Sequence, residues 1–193
     1  WLEDQQAPGT RDWIDAQNAY TDTVLASLLG RDALATLAGR VLEVDAVGMP
    51  NERGGRYFHT RRQADQDLAV LYVREGLDGE DRVLIDPHPM SPDHTTSVTY
   101  LDISHDGRLV VYGIRDGGVD ELSIRLRDVD TGEDLVDRLP AARYGGFNLT
   151  PDKAGLFYER YGDVTPRVMY HVIGTDVADD VQLFGDGYDV HHI

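Results

Sequence analysis

Hydrolytic or metal chemistry in this chain would have to be built from five serines, seven histidines and 35 acidic residues. Cysteine is absent, which removes disulfides, thiol nucleophiles and thiolate metal sites together. A serine nucleophile presented on a strand-to-helix elbow needs small neighbours in a Gly-x-Ser-x-Gly setting, so that the hydroxyl stands exposed. Ser27, Ser91, Ser97, Ser104 and Ser123 all lack that setting. Ser104-His105-Asp106 has the residue types of a catalytic triad, but three neighbours on one turn cannot adopt the relay geometry. A turn within a β-structure accounts for them.

Metal sites fare no better. His88 and His94 bracket a Pro-rich loop, and His191-His192 sit together near the end, without a His-x-x-x-His helix or a carboxylate at ligand spacing. Asp128-Val129-Asp130-Thr131-Gly132 begins like a calcium loop, yet its fifth position is Gly132 instead of an oxygen ligand, so a hairpin turn is expected. No metal and no cofactor is expected. Asn148-Leu149-Thr150 is a formal glycosylation sequon followed directly by Pro151 and is discounted. Arg61-Arg62 reads as a solvated hairpin.

The elements that would position any site change character near residue 50. Before it, Trp13, Ala16, Tyr20, Val24 and Leu28 recur at helical spacing. Thr10 is the expected N-cap and Gly30 the expected stop; Asp32 then caps a second helix with Leu34, Leu37 and Val41. Gly48-Met49-Pro50-Asn51 punctuates the change.

Beyond it come short β-runs with turn residues between them, and no long helix that would suit a parallel sheet. Expected strands are 56–60, 68–74, 82–85, 96–103, 109–114, 122–128, 156–159, 168–173 and 181–184. Asp78-Gly79, Asp106-Gly107 and Thr131-Gly132 supply hairpin turns.

The strands also repeat. Ile103-Ser104-His105-Asp106-Gly107 with Leu109-Val110-Val111-Tyr112 aligns with Leu149-Thr150-Pro151-Asp152-Lys153 with Gly155-Leu156-Phe157-Tyr158. The spacing from Asp106 to Asp152 is 46 residues, and Arg53-Gly54-Gly55-Arg56-Tyr57-Phe58 is a fainter upstream copy. A period in the forties with about four strands per copy marks β-propeller blades. Three copies are too few to close a ring of about four to eight blades, so the chain is expected to stop early.

On these residues the chain resembles the prolyl oligopeptidase family. The resemblance starts at Trp1-Leu2-Glu3-Asp4 and Ala16-Gln17-Asn18. It continues through Gly55-Arg56-Tyr57-Phe58, Val70-Leu71-Tyr72-Val73, Val83-Leu84-Ile85-Asp86-Pro87, Ser104-His105-Asp106-Gly107, Val111-Tyr112-Gly113 and Tyr170-His171-Val172-Ile173-Gly174-Thr175-Asp176. Departures from the family pattern are Val44-Asp45-Ala46-Val47-Gly48, where a Tyr-Pro pair is usual, and Arg61-Arg62-Gln63-Ala64-Asp65, where a hairpin is usually aromatic-rich. The sister family oligopeptidase B shares the Trp-Leu-Glu-Asp opening, and Asn18-Ala19-Tyr20-Thr21 suits it too.

The resemblance implies a mainly β fold: about three four-stranded antiparallel blades of a seven-bladed propeller, preceded by two short α-helices. It places a helical segment at 1–50, which in the family packs against the hydrolase domain, and blades 1 to 3 at 51–193. It implies a serine endopeptidase whose Ser-Asp-His triad lies in a C-terminal α/β-hydrolase domain, with no catalytic residue in this chain, which alone is expected to be inactive. Expected partners are short proline-containing peptides and that hydrolase domain. The resemblance also assigns Tyr144 to a substrate-facing aromatic. A non-catalytic propeller serving as an interaction module is the competing class.

Composition narrows the partners further. The net charge of −17 repels phosphate backbones and anionic lipid, so neither nucleic acid nor membrane is an expected partner. Lys153 is the only lysine, and the acidity serves solubility, with a salt-rich habitat as the sharper alternative. No signal-peptide pattern opens the chain. A cytoplasmic home is expected, with periplasm or secretion left open because the chain begins at Trp1 and residues are expected to be missing upstream.

Overall fold

The computed structural model describes residues 2–4, 7–143, 145–161 and 166–187. Contacts divide it into two compact units, Trp1–Val44 and Asp45–Ile193.

The first unit holds two helices, α1 (Pro8–Ala26) and α2 (Arg31–Leu42). The expected caps are each displaced. Proline has its φ already set for a helix and has no N–H to leave unsatisfied, so α1 starts at Pro8 with Ala7 as its N-cap. Thr10 is therefore a first-turn residue. Ser27 closes α1, and Gly30, at φ 85°, becomes the N-cap of α2, its carbonyl accepting from the Leu34 N–H. Asp32 falls inside the first turn of α2, where its charge complements the helix dipole. The apolar stripes are present but exposed, Tyr20 at 68% and Leu34 at 67%.

The second unit is three antiparallel sheets in succession. The first contains β1 (Ala46–Val47), β2 (Asn51–Arg53), β3 (Arg56–Arg62), β4 (Val70–Glu75) and β5 (Asp81–Ile85). Both β1 and β2 pair with the same side of β3, so they are one strand interrupted at Pro50. Gly48 permits that interruption to hug β3, because a Cβ there would meet Thr60 Oγ1 at 2.4 Å. The second sheet runs β6 (Ser97–Ile103), β7 (Leu109–Arg115), β8 (Leu122–Asp128), β9 (Asp134–Ala142). The third runs β10 (Phe147–Leu149), β11 (Gly155–Tyr161), β12 (Pro166–Val172), β13 (Val181–Phe184). Each sheet is a meander of neighbouring strands, as a blade requires. The strands β1, β2, β9 and β10 were not among those expected from the sequence.

Stacking of the sheets explains the sequence pattern. In β7 every residue from Leu109 to Ile114 is buried. Val110, Tyr112 and Ile114 join Phe58, Leu71 and Val73 of the first sheet. Leu109 and Val111 turn the other way and join Leu156, Tyr158 and Met169 of the third. A strand covered on both faces reads as a continuous apolar run. Each such buried aliphatic side chain contributes about 1.5–3 kcal/mol.

Candidate functional site

The turns that open each blade pack on one another. Ser104 N–H bonds to the Leu109 carbonyl, and Thr150 N–H to that of Gly155. The 46-residue repeat is thus a structural one, with Asp106 and Asp152 in equivalent turns. Gly54 approaches the Asp106 backbone so closely that a Cβ would sit 2.4 Å from its carbonyl oxygen. Arg56 extends across the same seam, donating to the Gly107 carbonyl at 3.0 Å and to Asp130 at 2.5 Å. Asp106 in turn pairs with Lys153 of the third sheet.

These contacts settle what Ser104 and Asp106 do. The Ser104 hydroxyl donates to Asp106 at 2.7 Å and accepts from the N–H groups of Arg108 and Leu109. It is a buried turn brace and carries no nucleophile geometry. Burial pushes the Asp106 carboxyl up, but Lys153, Ser104 and the Arg108 N–H together outweigh it and hold the group down at about 2. The calcium-like run is likewise a hairpin: Asp128 accepts from the Thr131 N–H at 2.7 Å, and Asp130 is engaged by Arg56.

His88 and His94 do meet, edge to face, with ring centroids 5.2 Å apart. Each is pinned by its own carboxylate, Asp86 and Asp67 respectively, at 2.7 Å. Among the described residues there is no group of three or more His, Asp or Glu side chains that would hold a metal ion. His191 and His192 lie outside the described residues.

Tyr144 also lies outside the described residues. Its neighbours frame the connection from β9 to β10: Ala142 is buried, Arg143 pairs with Glu121 at 2.6 Å, and Phe147 enters the core. This connection carries the chain from the last strand of one blade to the first strand of the next. The first strands β6 and β10 come together, tied by a 2.7 Å bond from the Leu149 N–H to Asp102.

One constellation escaped the reading of the sequence. In every blade a carboxylate at the head of the fourth strand gathers a base from the third strand and a ring from the second. In the second blade, Asp134 accepts from Arg127 Nε at 2.7 Å and from the Tyr112 hydroxyl at 2.8 Å. In the third, Asp180 lies 2.7 Å from His171 Nδ1 and accepts from the Tyr158 hydroxyl at 2.7 Å. In the first, Asp81 accepts from Arg74 Nε at 2.8 Å, with His59 Nε2 at 3.5 Å. Burial and the adjacent carboxylate push the Tyr112 hydroxyl up to about 12 and raise Tyr158 as well. A signal was available: His59 to Asp81, Tyr112 to Asp134 and Tyr158 to Asp180 each span 22 residues.

Comparison with known proteins places this architecture. The model of the prolyl oligopeptidase N-terminal β-propeller domain matches residues 1–193. The prolyl endopeptidase of Elizabethkingia meningoseptica is 28% identical over 196 residues, covering 96% of this chain and 28% of that protein. Dipeptidyl aminopeptidase BI of Pseudoxanthomonas mexicana is 27% identical over 212 residues, 98% of this chain and 29% of its own. A structure from a pair of prolyl endopeptidases superposes with a TM-score of 0.85 at 34% identity, over 94% of this chain and 28% of its own. Oligopeptidase B from Leishmania major shares the fold, with a TM-score of 0.78 at 17% identity over 96% of this chain and 27% of its own. The chain thus spans less than a third of the length of these relatives. It belongs to the family of prolyl oligopeptidase N-terminal β-propeller domains.

Proposed function

We propose that this chain is the N-terminal part of a serine-type endopeptidase that cleaves short, proline-containing peptides. Its Ser-Asp-His site would lie in an α/β-hydrolase domain beyond residue 193. The unit from Asp45 onward, whose first sheet already includes Ala46–Val47, supplies blades 1 to 3 of the propeller, and the helical unit that ends at Val44 packs on the hydrolase domain through the exposed stripes of α1 and α2. The observation that carries this reading is the superposition on a prolyl endopeptidase at a TM-score of 0.85. A propeller set over the active site excludes folded proteins by size, so selectivity arises from access before contacts act. Tyr144 is assigned to the cavity wall near the substrate residues that precede the scissile bond.

The test is to assay the full-length protein on a proline-containing octapeptide, the same octapeptide with the proline replaced by alanine, and a folded protein carrying the same proline sequence. Cleavage of the first alone supports the proposal. Cleavage that ignores the proline would favour the oligopeptidase B-like alternative, and no cleavage at all would leave an interaction module.

A further inference from the structure

The clamps have a second function, visible where one blade meets the next. The clamps of the second and third blades face the blade before them, and their bases reach across. Arg127 Nη1 donates to the Leu84 carbonyl of the first blade at 2.8 Å. His171 Nε2 lies 2.9 Å from Asp137 Oδ1 of the second blade. Leu84 and Asp137 occupy the same place, three residues past the clamp carboxylates Asp81 and Asp134. Both seams therefore follow one rule: the third-strand base holds its own carboxylate and takes an acceptor on the fourth strand of the preceding blade.

Arg74 satisfies only the first half of that rule. Its Nε holds Asp81 at 2.8 Å, while Nη1 reaches the Leu77 carbonyl of its own hairpin at 3.4 Å. It borders a shallow cavity of about 280 Å3, lined by Val47, Pro50, Tyr57, His59, Arg74 and Leu77. The guanidinium suits such a seam, because its planar fork serves two acceptors at once and it is more weakly hydrated than an ammonium.

We infer that this face of the first sheet seats the fourth strand of the blade that completes the ring, with Arg74 donating to a carbonyl or carboxylate three residues past that blade's own clamp carboxylate. The inference rests on the proposal that further blades follow residue 193, and it adds a polar latch to the ring's closing seam.

Amide hydrogen exchange on the full-length protein tests it, with Arg74→Leu compared to wild type and Arg127→Leu as the reference for an occupied latch. Arg127→Leu should speed exchange in 81–85. Arg74→Leu should speed exchange about tenfold in one strand outside residues 1–193, the loss expected for one charge-assisted bond. Should Arg74→Leu fail to fold, Arg74→Lys keeps the charge without the fork and should show the same strand responding less. Change confined to residues 70–85 would overturn the latch. So would a response that vanishes on dilution, because the occupant would then be a second copy of the protein. Exchange is independent of catalysis, so a protein that folds and latches but cleaves nothing refutes the proposed function and leaves the latch standing.

Discussion

Nε2 of His171 lies 2.9 Å from Oδ1 of Asp137, fastening the third blade to the second through two side chains withdrawn from solvent. The same Asp137 oxygen accepts from the Gly174 N–H at 2.5 Å, while the imidazole's other nitrogen is held by Asp180. Removing either partner leaves a buried polar group without its counterpart. Asp137→Ala or His171→Ala should therefore cost about 3–5 kcal/mol. At roughly 2–4 °C per kcal/mol for a chain of this size, the melting temperature should fall by about 6–20 °C. Val136→Ala, one residue away and 82% exposed, should stay within about 0.5 kcal/mol. Equal melting temperatures for Asp137→Ala and Val136→Ala would show that the seam is not held here.

The tyrosine of each occupied clamp makes stability sensitive to alkali. Tyr112 is pushed up to about 12, from an ordinary value near 10, by burial and by Asp134. A raised pKa means that the contribution is complete below about pH 10 and is lost as pH climbs toward 12. Tyr112→Phe should cost about 1.5–3 kcal/mol at neutral pH, the range for a hydrogen bond to a charged group. It should also flatten the decline between about pH 10 and 12, which melts across that range will reveal. A decline as steep in the variant as in wild type would assign the loss to other groups.

Acid sensitivity should come in part from Asp106. Its pKa, depressed to about 2, gives stability that is present above about pH 4 and is lost as pH falls toward 2. Asp106→Asn should lower stability at pH 6 and make the acid limb shallower. Carboxyl carbon chemical shifts would follow the titration directly, and a midpoint near 4 would contradict the pairing with Lys153 and Ser104.

Lys153 carries two opposing effects that substitution can separate. It sits at φ 59°, the left-handed conformation that its counterpart Gly107 adopts at φ 67°. Lys153→Gly relieves the strain and loses the ion pair, so its net effect should be small. Lys153→Ala loses the pair and keeps the strain, and should be less stable than the glycine variant by about 1 kcal/mol. Alanine equal to glycine would mean that the turn relaxes out of the left-handed region.

The residues that were legible and those that were not differ for physical reasons. Val110 to Ile114 announce a strand covered on both faces, and the 46-residue return of the Asp106 turn at Asp152 announces a repeat. β9 was hidden because Pro140 interrupts it and Asp137 and Arg138 break its apolar pattern; a last strand of a blade tolerates both, having a partner on one side only. The helix caps slipped because Pro8 pre-sets φ for the helix start and Gly30 reaches the positive φ of its cap position without strain, and these backbone effects outweigh the side chains of Thr10 and Asp32. The 22-residue spacing from ring to carboxylate was in the sequence, but the clamp bases needed the third dimension. Arg127 and His171 occupy the same place despite different chemistry, so similarity of sequence could not pair them.

Tyr144 is where the substrate assignment is exposed to test. In the full-length protein, Tyr144→Ala should reduce kcat/KM for octapeptides by about 5- to 150-fold, corresponding to about 1–3 kcal/mol of lost contact. Dipeptide derivatives should lose less and the melting temperature should hold. Equal loss on both substrates, or none, would return Tyr144 to an ordinary blade connection.

The central assignment, that these blades serve a serine peptidase whose site lies beyond residue 193, is tested most directly by active-site labelling. Full-length protein and residues 1–193 would each be treated with a serine-directed phosphonate, digested and mapped by mass spectrometry, with turnover of a Gly-Pro-linked chromogenic peptide followed in parallel. The expected result is stoichiometric labelling of one serine outside residues 1–193, loss of turnover in step with it, and neither label nor turnover in the shorter chain. Labelling of Ser27, Ser91, Ser97, Ser104 or Ser123, or turnover by residues 1–193 alone, would contradict it.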